Sequence, residues 1–364
     1  MATIKSQSAR PESFSKKEVQ RAGEILILPN ITAVNPNGQL HALQVLSYWR
    51  SCHLAPLDTV ISILERIVPK IDNTAIVAKR LKRAQSIIEK LTRNDSMKLR
   101  NMQDIGGARV ICRSIRYVNK IKRELTKVAD LKVTDYIVSP KDDGYRGIHL
   151  IGKFVGAGSS APYSIEIQLR TVSMHSWATS VEIIDLFTNQ SLKTGRGKPQ
   201  WREFFRHASV VFAAQDGVPT DSKDYSDSVA ALVNLSRKLD VFDVFEAYSG
   251  SLKTVSDYGI HDREGYYLIQ INTVKKTFKC NFYGVEAYER AVVDYLRHES
   301  AVIETPTNVV ALVSTSSIND LKEAYPNYFA DSGLFIEQLR EAHERFRVEN
   351  PSWLKRFFAG LVVR

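Results

Sequence analysis

The stretch SIEIQLRTVSMHSWA, which begins at residue 164, alternates apolar and polar residues. The apolar residues at 165, 167 and 169 share one face of a predicted strand, so the polar residues between them share the other. The polar side chains are Glu166, Gln168 and Arg170, and the following helix adds His175. Because the flanking strands are apolar, this stretch is predicted to be a central strand of a half-open sheet, whose polar face lines a cleft. The same pattern also fits a strand face that simply meets solvent.

The segment KRLKRAQSIIEKL places cations and a serine where a strand turns into a helix. The residues concerned are Arg80, Lys82, Ser86 and Lys90. Phosphate groups bind well at such a junction, because backbone N–H groups and cationic side chains converge there. A capped helix with a solvated surface is the alternative interpretation.

The segment MQDIGGARVIC places Asp104 before two glycines and an apolar strand. A carboxylate at this strand edge could bind Mg²⁺ beside a nucleotide, since such sites use one or two protein carboxylates together with substrate phosphates. Asp104 could equally be a turn residue. Arg109 lies inside the predicted strand, where an arginine needs a partner or access to a cleft.

The segment DYIVSPKDDGYRGIHLIG contains a turn with a tyrosine flanked by cations. Lys141 and Tyr145 belong to the turn, and His149 follows in the next strand. A tyrosine on such a loop suits stacking on a nucleic-acid base. It could instead cover the end of a hairpin.

These motifs together indicate phosphoryl or pyrophosphoryl transfer, in which positioning and charge neutralisation provide most of the catalysis. The sequence has no Walker A loop and no Ser-His-Asp or Cys-His pattern. A polymerase-like or related sheet is therefore favoured.

The elements that must position these residues alternate between strands and helices. Helical patterning covers 40–68 with a break at His53–Pro56. Strands are predicted at 76–82, 107–113, 132–138, 147–154 and 163–171, with helices at 84–93, 116–128 and 172–187. Further on, we predict helices at 199–214 and 225–247, a hairpin at 266–284, a helix at 285–299, a strand at 308–314, and helices at 316–324 and 331–347. The sequence thus predicts an α+β protein with a mixed-sheet domain at 1–223 and a smaller α+β domain at 224–364.

Charge is distributed unevenly along the chain. The formal net charge is +10, but residues 224–364 contain 16 Lys/Arg and 20 Asp/Glu, which leaves 34 and 20, or net +14, for residues 1–223. A basic front region favours a polyanionic partner. The run at 109–127 holds seven cations and one acid. It is either part of a surface that binds the polyanion or a solvated helix face.

The chain has three distant cysteines, Cys52, Cys112 and Cys280, and no apolar run of membrane-spanning length. The cysteines are predicted to be buried thiols, with no disulfide framework or zinc site. We expect a cytoplasmic protein without a membrane or DNA partner.

Four blocks in order resemble the synthetase domain of the RelA/SpoT family: RxKxxxSIxxKL, DIGGxR, DYIxxPKxxGYRGIH and EIQLRTxxMHxWA. They span about residues 80–180. The resemblance implies a nucleotidyltransferase-like fold with flanking helices, and transfer of pyrophosphate from ATP to a ribose 3′-hydroxyl with Mg²⁺ as cofactor.

The resemblance also implies a role for each motif residue. Arg80 and Arg109 would sandwich adenine, while Lys82, Ser86 and Lys90 would hold the ATP phosphates. Asp104 and Glu166 would bind Mg²⁺, and Glu166 would take the proton from the acceptor hydroxyl. Tyr145 would stack on the acceptor base, and Lys141, His149, Gln168 and His175 would orient the acceptor and phosphates. Arg170 would support Glu166 or contact phosphate.

The C-terminal region resembles the antitoxin part of fused toxin–antitoxin members of the family, the CapRel type of toxic small alarmone synthetase. That resemblance implies pyrophosphorylation of the 3′ CCA end of tRNA, restraint by the C-terminal domain, and release by a phage protein. In the motif AYPNYF, Tyr325 and Tyr328 would block the ATP side of the cleft. The alternative is that both tyrosines only pack at a helix end.

Two other functions stay open at this point. The catalytic motifs fit equally well a small alarmone synthetase that makes (p)ppGpp or (p)ppApp from guanosine or adenosine nucleotides. An inactive RNA-binding sensor on the same scaffold is the third hypothesis.

The hydrolase domain of large family members is absent, because the single IHD at 260–262 lacks the other His and Asp ligands.

Overall fold

The computed structural model of the protein describes residues 13–29, 31–158, 161–188, 192, 198–249, 253–254, 265–272, 277–287, 290–291, 293–295, 297–298, 308–315 and 332–349. Within these ranges, no helix has the length and apolar character needed to cross a bilayer. Cys112 and Cys280 are buried free thiols, as predicted, whereas Cys52 is only partly buried.

Helices precede and flank the first strands of the fold. The N-terminal helices are α1 (Lys16–Leu26), α2 (Ile31–Val34), α3 (Pro36–Ser51) and α4 (Leu54–Ile67). Next come β1 (Ile76–Leu81), α5 (Ala84–Arg93), β2 (Gly106–Cys112), α6 (Ile115–Val128), β3 (Lys132–Asp135), β4 (Ile148–Val155) and β5 (Pro162–Thr171). The predicted break near His53 is confirmed. Helix resumes already at Leu54, because Pro56 occupies the first turn, where a missing N–H breaks no helical bond.

Strand β3 is shorter than the sequence predicts. It ends at Asp135, whose Oδ1 accepts hydrogen bonds from the backbone N–H groups of Ile137 at 3.1 Å and Val138 at 3.3 Å. This local turn takes N–H groups that a longer strand would have used in the ladder.

The second half of the chain adds helices and a further group of strands. These elements are α7 (Val172–Thr188), α8 (Pro199–Gln215), α9 (Ser222–Lys238), α10 (Val241–Ser249), β6 (Lys253–Thr254), β7 (Gly265–Asn272), β8 (Thr277–Gly284), β9 (Asn308–Thr315) and α11 (Gly333–Glu349). The prediction of one helix over 225–247 is wrong. Helix α9 ends at Lys238 because Asp240 adopts a left-handed conformation with φ of 48°. The predicted hairpin and last strand are confirmed, and the predicted helix at 316–324 lies outside the described residues.

The strands that the structure describes form a single sheet in the order β3-β4-β5-β2-β1-β9-β7-β8-β6. Strands β2 and β5 are parallel, and β1 pairs antiparallel with β2 on one side. On its other side, β1 pairs with β9 through Lys79 opposite Ser314 and Arg80 opposite Val313. The C-terminal strands therefore extend the first sheet past β1, a connection that the strand patterns did not predict.

The first five strands have two chemically different faces. Helices α4 and α6 cover one of them with an apolar core. This core includes Val60, Leu64, Ala108, Val110, Val118, Ile121, Leu125, Ile148, Leu150, Ile165, Ile167 and Leu169. Because successive side chains alternate, the polar residues of β2, β4 and β5 point to the opposite side, which we call the cleft face.

Helix α11 completes a second core formed by the helices after β5. Phe335 of α11 is fully buried. The phenylalanine rings around it are those of Phe204, Phe212 and Phe245, at centroid distances of 6.1, 5.2 and 5.3 Å. Gln338 also donates a buried hydrogen bond of 2.7 Å to Ser173 of α7. The predicted domain boundary at 223–224 falls within the first turn of α9.

A second contact joins the C-terminal region to the N-terminal helices. The guanidinium of Arg50 in α3 donates a buried hydrogen bond of 2.8 Å to the hydroxyl of Tyr295, and its Cζ lies 5.1 Å from the centre of that ring. An arginine over an aromatic face gains cation–π attraction, which grows when both groups leave water. The C-terminal region thus packs on both the sheet edge and α3.

A carboxyl group at the end of α8 gives a pH-dependent stability. The hydroxyl of Thr171, the last residue of β5, donates to Asp216 Oδ2, and burial raises the pKa of Asp216 to about 6. The folded state therefore holds a proton between pH 4 and 6 that the unfolded state has lost, so the free energy of unfolding falls as pH rises through this window. We expect this decrease in the free energy of unfolding to be about 1–2 kcal/mol smaller in Asp216→Asn. Urea unfolding of wild type and Asp216→Asn at pH 4 and pH 7 measures this difference. The same change in the free energy of unfolding for both proteins would contradict the prediction.

Candidate active site

The cleft face brings five of the predicted site residues into two neighbouring rows. Strand register places His149 opposite Gln168, and Gln168 opposite Arg109. In the adjacent row, Glu166 lies opposite Gly107, and Gly107 lies opposite Arg80. Adjacent strands are about 4.8 Å apart, so Glu166 and Arg80 are separated by about 10 Å across a residue without a side chain.

Glycine occupies positions 106 and 107, before Arg109, for two different structural reasons. A Cβ on Gly106 would come within 2.6 Å of Ile165 in the core, so close packing requires glycine there. Gly107 lies on the cleft face, where an added Cβ would meet only backbone at 3.8 Å or more. Its missing side chain leaves an open floor between Glu166 and Arg80.

A closed ring of hydrogen bonds orients Glu166. One path runs from Arg170 to the hydroxyl of Tyr145 at 3.1 Å, from there to His149 Nε2 at 2.6 Å, and from His149 Nδ1 to Glu166 Oε1 at 2.8 Å. The other path runs from Arg170 to Gln168 Oε1 at 2.9 Å and from Gln168 Nε2 to Glu166 Oε2 at 2.7 Å. An ionised carboxylate only accepts hydrogen bonds, so both paths donate towards Glu166, with the His149 proton on Nδ1.

The ring keeps the Glu166 carboxylate ionised. Burial alone would raise the pKa of Glu166, but the hydrogen bonds from His149 and from the amide of Gln168 bring the pKa below its usual value. The negative charge of Asp104 acts in the opposite direction, which indicates that the two carboxylates are near each other. A side chain in this state can accept a proton or bind a cation.

Asp104 lies between two lysines from the phosphate-directed motif. Its Oδ2 lies 2.8 Å from Lys90 Nζ and 3.2 Å from Lys82 Nζ. Burial would raise the pKa of Asp104, but the two ammonium groups outweigh it and the pKa is lowered. Its other oxygen, Oδ1, is buried without a hydrogen-bond partner among the described residues. A buried carboxylate oxygen without a donor is a ready ligand for a cation.

Helix α5 presents its N-terminus beside these lysines. It begins at Ala84, shortly after β1, and Arg83 at its N-cap position makes no side-chain capping hydrogen bond. Ser86 lies in the first turn and Lys90 one turn later, on the same face. The strand-to-helix junction predicted for phosphate groups is therefore present.

The tyrosine loop differs from the predicted exposed stacking platform. Tyr145 is half-buried, its hydroxyl belongs to the hydrogen-bonded ring, and its aromatic ring packs edge-on against Tyr136 at 5.8 Å. Lys141 Nζ lies 4.7 Å from the centre of the Tyr136 ring and 4.8 Å from that of Tyr145. Stacking of a base on the Tyr145 face covered by Lys141 therefore requires that ammonium to move.

Tyr136 is a site residue that the sequence motifs did not single out. Besides holding Lys141, it packs edge-on against His149 at 5.1 Å. Its position four residues before Pro140 of the quoted segment was visible, but nothing in the sequence indicated that its ring would share one cation with Tyr145.

Three further predicted site residues are His175, Tyr325 and Tyr328. His175 is 4% exposed on α7, so its role in binding an acceptor stays a prediction. Tyr325 and Tyr328 lie outside the described residues. Their blocking role also stays a prediction.

Comparison with known proteins supports the family resemblance over the catalytic motifs. Residues 79–184 match the family described as "Region found in RelA / SpoT proteins". GTP pyrophosphokinase YwaC of Bacillus subtilis is 34% identical over 140 residues, which are 35% of this chain and 66% of that protein. GTP pyrophosphokinase YjbM of the same organism is 34% identical over 110 residues, 28% of this chain and 52% of that protein. The chain thus spans between half and two thirds of the length of these two relatives.

Two solved structures each align with slightly less than half of this chain. The small alarmone synthetase 1 from Bacillus subtilis bound to its product pppGpp is 25% identical, over 46% of this chain and 93% of that chain, with a TM-score of 0.39. Small alarmone synthetase 2 from the same organism is 28% identical, over 47% of this chain and 92% of that chain, with a TM-score of 0.40. The fused toxin–antitoxin type stays a prediction.

Proposed function

We propose that this protein, which contains a RelA/SpoT region, is an ATP-dependent pyrophosphokinase. The acceptor 3′-oxygen attacks the β-phosphorus of ATP, the bond between the β-phosphorus and the α–β bridging oxygen breaks, and AMP leaves. Glu166 takes the proton of the attacking hydroxyl. The observation that carries this proposal is the hydrogen-bonded ring that holds an ionised Glu166 on the cleft face, across Gly107 from Arg80.

ATP occupies the β1 and α5 side of the cleft in this proposal. Arg80 and Arg109 hold the adenine, and Lys82, Ser86 and Lys90 hold the phosphates at the start of α5. Burial lowers the pKa of Lys82, although the charge of Asp104 opposes that effect. The positive end of the helix and two ammonium groups neutralise the triphosphate.

Mg²⁺ fits the two carboxylates of the cleft. Asp104 offers a buried oxygen without a donor, and Glu166 would exchange one of its hydrogen bonds for the ion. The ion would supply neutralisation of the phosphate charge that develops during transfer. The ammonium groups of Lys82 and Lys90 hold Asp104 ionised for this role.

The acceptor occupies the β4 and β5 side, next to Tyr145. Lys141, His149 and Gln168 orient it, and Arg170 supports Glu166 through both branches of the ring. Acceptor entry moves Lys141 off the Tyr145 ring, which frees its ammonium for acceptor phosphates.

Tyr136 is expected to set the affinity for the acceptor by keeping Lys141 in reach. Replacing it by leucine removes one of the two aromatic faces and should raise the acceptor KM about 3–10-fold with little change in kcat, in line with about 1 kcal/mol for a cation–π contact. Tyr136→Phe retains the aromatic face and serves as the matched control, expected to remain within about twofold of wild type. Equal KM values for the leucine and phenylalanine variants would contradict this role.

The 3′ CCA end of tRNA is the acceptor that we propose first. The basic front region, net +14 over residues 1–223, suits a polyanionic substrate. A small alarmone synthetase that uses GDP, GTP or adenosine nucleotides is the second candidate, and the names of the relatives, both GTP pyrophosphokinases, favour it. Full-length protein carrying Tyr325→Ala and Tyr328→Ala, so that restraint does not hide transfer, is incubated with tRNA, each nucleotide and ATP labelled in the transferred phosphates. The acceptor that acquires the label decides between the two candidates.

The C-terminal region is proposed to restrain the enzyme until a phage protein binds it. Pairing of β9 with β1 at Arg80 and the contact of Tyr295 with Arg50 support this, because both join that region to the ATP side of the protein. Released enzyme would stop translation in infected cells by blocking tRNA ends. Residues 224–364 are mildly acidic and the front region is basic, so electrostatic attraction between them favours the restrained state.

The double substitution Tyr325→Ala with Tyr328→Ala is expected to release the full-length enzyme. If the two rings block the ATP pocket, their loss should raise transfer at least about tenfold and make expression toxic. Growth of cells that express the variant, with and without Glu166→Gln in the same chain, measures the effect. Unchanged growth and unchanged transfer would mean that the two tyrosines only pack.

A further inference from the structure

Helix α6 carries a line of cations on its solvent side. Arg116, Lys120, Arg123 and Lys127 are all exposed and follow one another at spacings of four, three and four residues. Positions three and four apart in a helix share one face, so these side chains form a single row, which we call the α6 basic stripe. The opposite side of α6 is apolar and packs into the core through Val118, Ile121 and Leu125.

The stripe is only slightly neutralised. Lys127 Nζ lies 2.7 Å from Glu124. Among the residues that the structure describes, no carboxylate lies within ion-pair distance of Arg116, Lys120 or Arg123. Like charges four residues apart destabilise a helix by about 0.2–0.5 kcal/mol per pair, and the stripe contains two such pairs. A helix that keeps these unneutralised cations in a row suits a polyanion.

The stripe lies behind the sheet, away from the catalytic residues. The apolar side of α6 packs on the strand face that contains Ile167 and Leu169, whereas Glu166 and Gln168 point to the cleft face. The stripe is on the far side of α6, and an α-helix is about 10 Å across. A mononucleotide bound at Glu166 therefore cannot contact the stripe, but a polymer that extends out of the cleft can.

We propose that the α6 basic stripe binds the sugar–phosphate backbone of an RNA whose 3′ end occupies the cleft. This inference rests on the proposed function and specifies its acceptor as a polymer. Beside the stripe, Asn119 and Thr126 are exposed and polar, and the exposed apolar side chain of α6 is that of Val128, its last residue, whereas a membrane-surface helix inserts a whole apolar face. The row of point charges, without aromatic residues for base stacking, fits phosphate contacts that carry no sequence preference.

The test replaces all four stripe cations by glutamine in the full-length protein. A matched control replaces four exposed cations of α9 and α11 by glutamine, namely Lys223, Arg340, Arg345 and Arg347. Binding of end-labelled deacylated tRNA is measured at several salt concentrations, and transfer to tRNA and to GDP is measured separately.

The stripe variant is expected to bind tRNA at least about tenfold more weakly than wild type at 0.1 M salt. Its salt slope should fall by about 0.7–0.9 for each lost phosphate contact, while the control variant keeps the wild-type slope. Any transfer to GDP should be unchanged, since that nucleotide does not reach the stripe.

Two results would overturn the inference: a stripe variant with wild-type tRNA affinity and salt slope, or equal losses in the stripe and control variants. Full-length protein carrying Tyr325→Ala and Tyr328→Ala that transfers no label to any acceptor would instead refute the proposed function. The tRNA-binding measurement still decides the role of the stripe in that event, because it does not depend on catalysis.

Discussion

Replacing Glu166 by glutamine is expected to lower pyrophosphate transfer about 100- to 10,000-fold, the range typical for loss of a general base. Glutamine has nearly the same shape, so it can keep a contact with Gln168, but it cannot take the proton of the acceptor hydroxyl. The substitution also removes one of the two carboxylates proposed to bind Mg²⁺. The chain should fold normally, because Glu166 lies on the cleft face and not in the apolar core.

The measurement is label transfer from ATP, in a full-length background carrying Tyr325→Ala and Tyr328→Ala so that restraint does not hide the effect. Glu65→Gln in the exposed part of α4 is the matched control and should leave transfer unchanged. Retention of more than about a tenth of the activity by Glu166→Gln, with unfolding midpoints equal to wild type, would remove Glu166 from the role of base.

Replacing Phe335 by alanine should destabilise the protein by about 3–5 kcal/mol, the usual cost of emptying a phenylalanine site in a core. The Phe335 ring is fully buried among aromatic rings of α8 and α10. The cavity would open directly beside the helices that follow β5. A large effect would show that α11 belongs to the same cooperative unit as α7 and α8.

Leu334→Ala provides the matched control for this prediction. Leu334 precedes Phe335 in the same helix turn but is 37% exposed, so its truncation should cost less than about 1 kcal/mol. Urea unfolding monitored by tryptophan fluorescence measures both variants. Equal stabilities of the two variants would mean that α11 docks weakly on the rest of the protein.

Much of the catalytic arrangement could be predicted because it depends on local pattern. Alternation along β5 fixed which of its residues share a face, and the apolar positions of α5 and α6 fixed their orientation. The strand-to-helix junction that brings Lys82, Ser86 and Lys90 together also follows from local pattern. These are short-range properties of the chain, and the structure agrees with them.

Features that depend on pairing between distant strands could not be predicted in this way. The hydrogen-bonded ring requires His149 of β4 to lie opposite Gln168 of β5, and no local pattern fixes that register. The addition of β9 to β1 uses backbone groups, which carry little sequence information. The same reason explains why the shared contact of Lys141 with Tyr136 and Tyr145 appeared only in three dimensions.

The most direct test of the central claim is the stoichiometry of the reaction products. Full-length protein carrying Tyr325→Ala and Tyr328→Ala would be incubated with Mg²⁺, ATP labelled in its β-phosphate, and deacylated tRNA or GDP. Pyrophosphate transfer predicts one AMP for each labelled acceptor, with both transferred phosphates on the 3′-oxygen, and no labelled acceptor when Glu166→Gln is added. Formation of ADP with a singly phosphorylated acceptor, or no labelled acceptor at all, would contradict the proposed function.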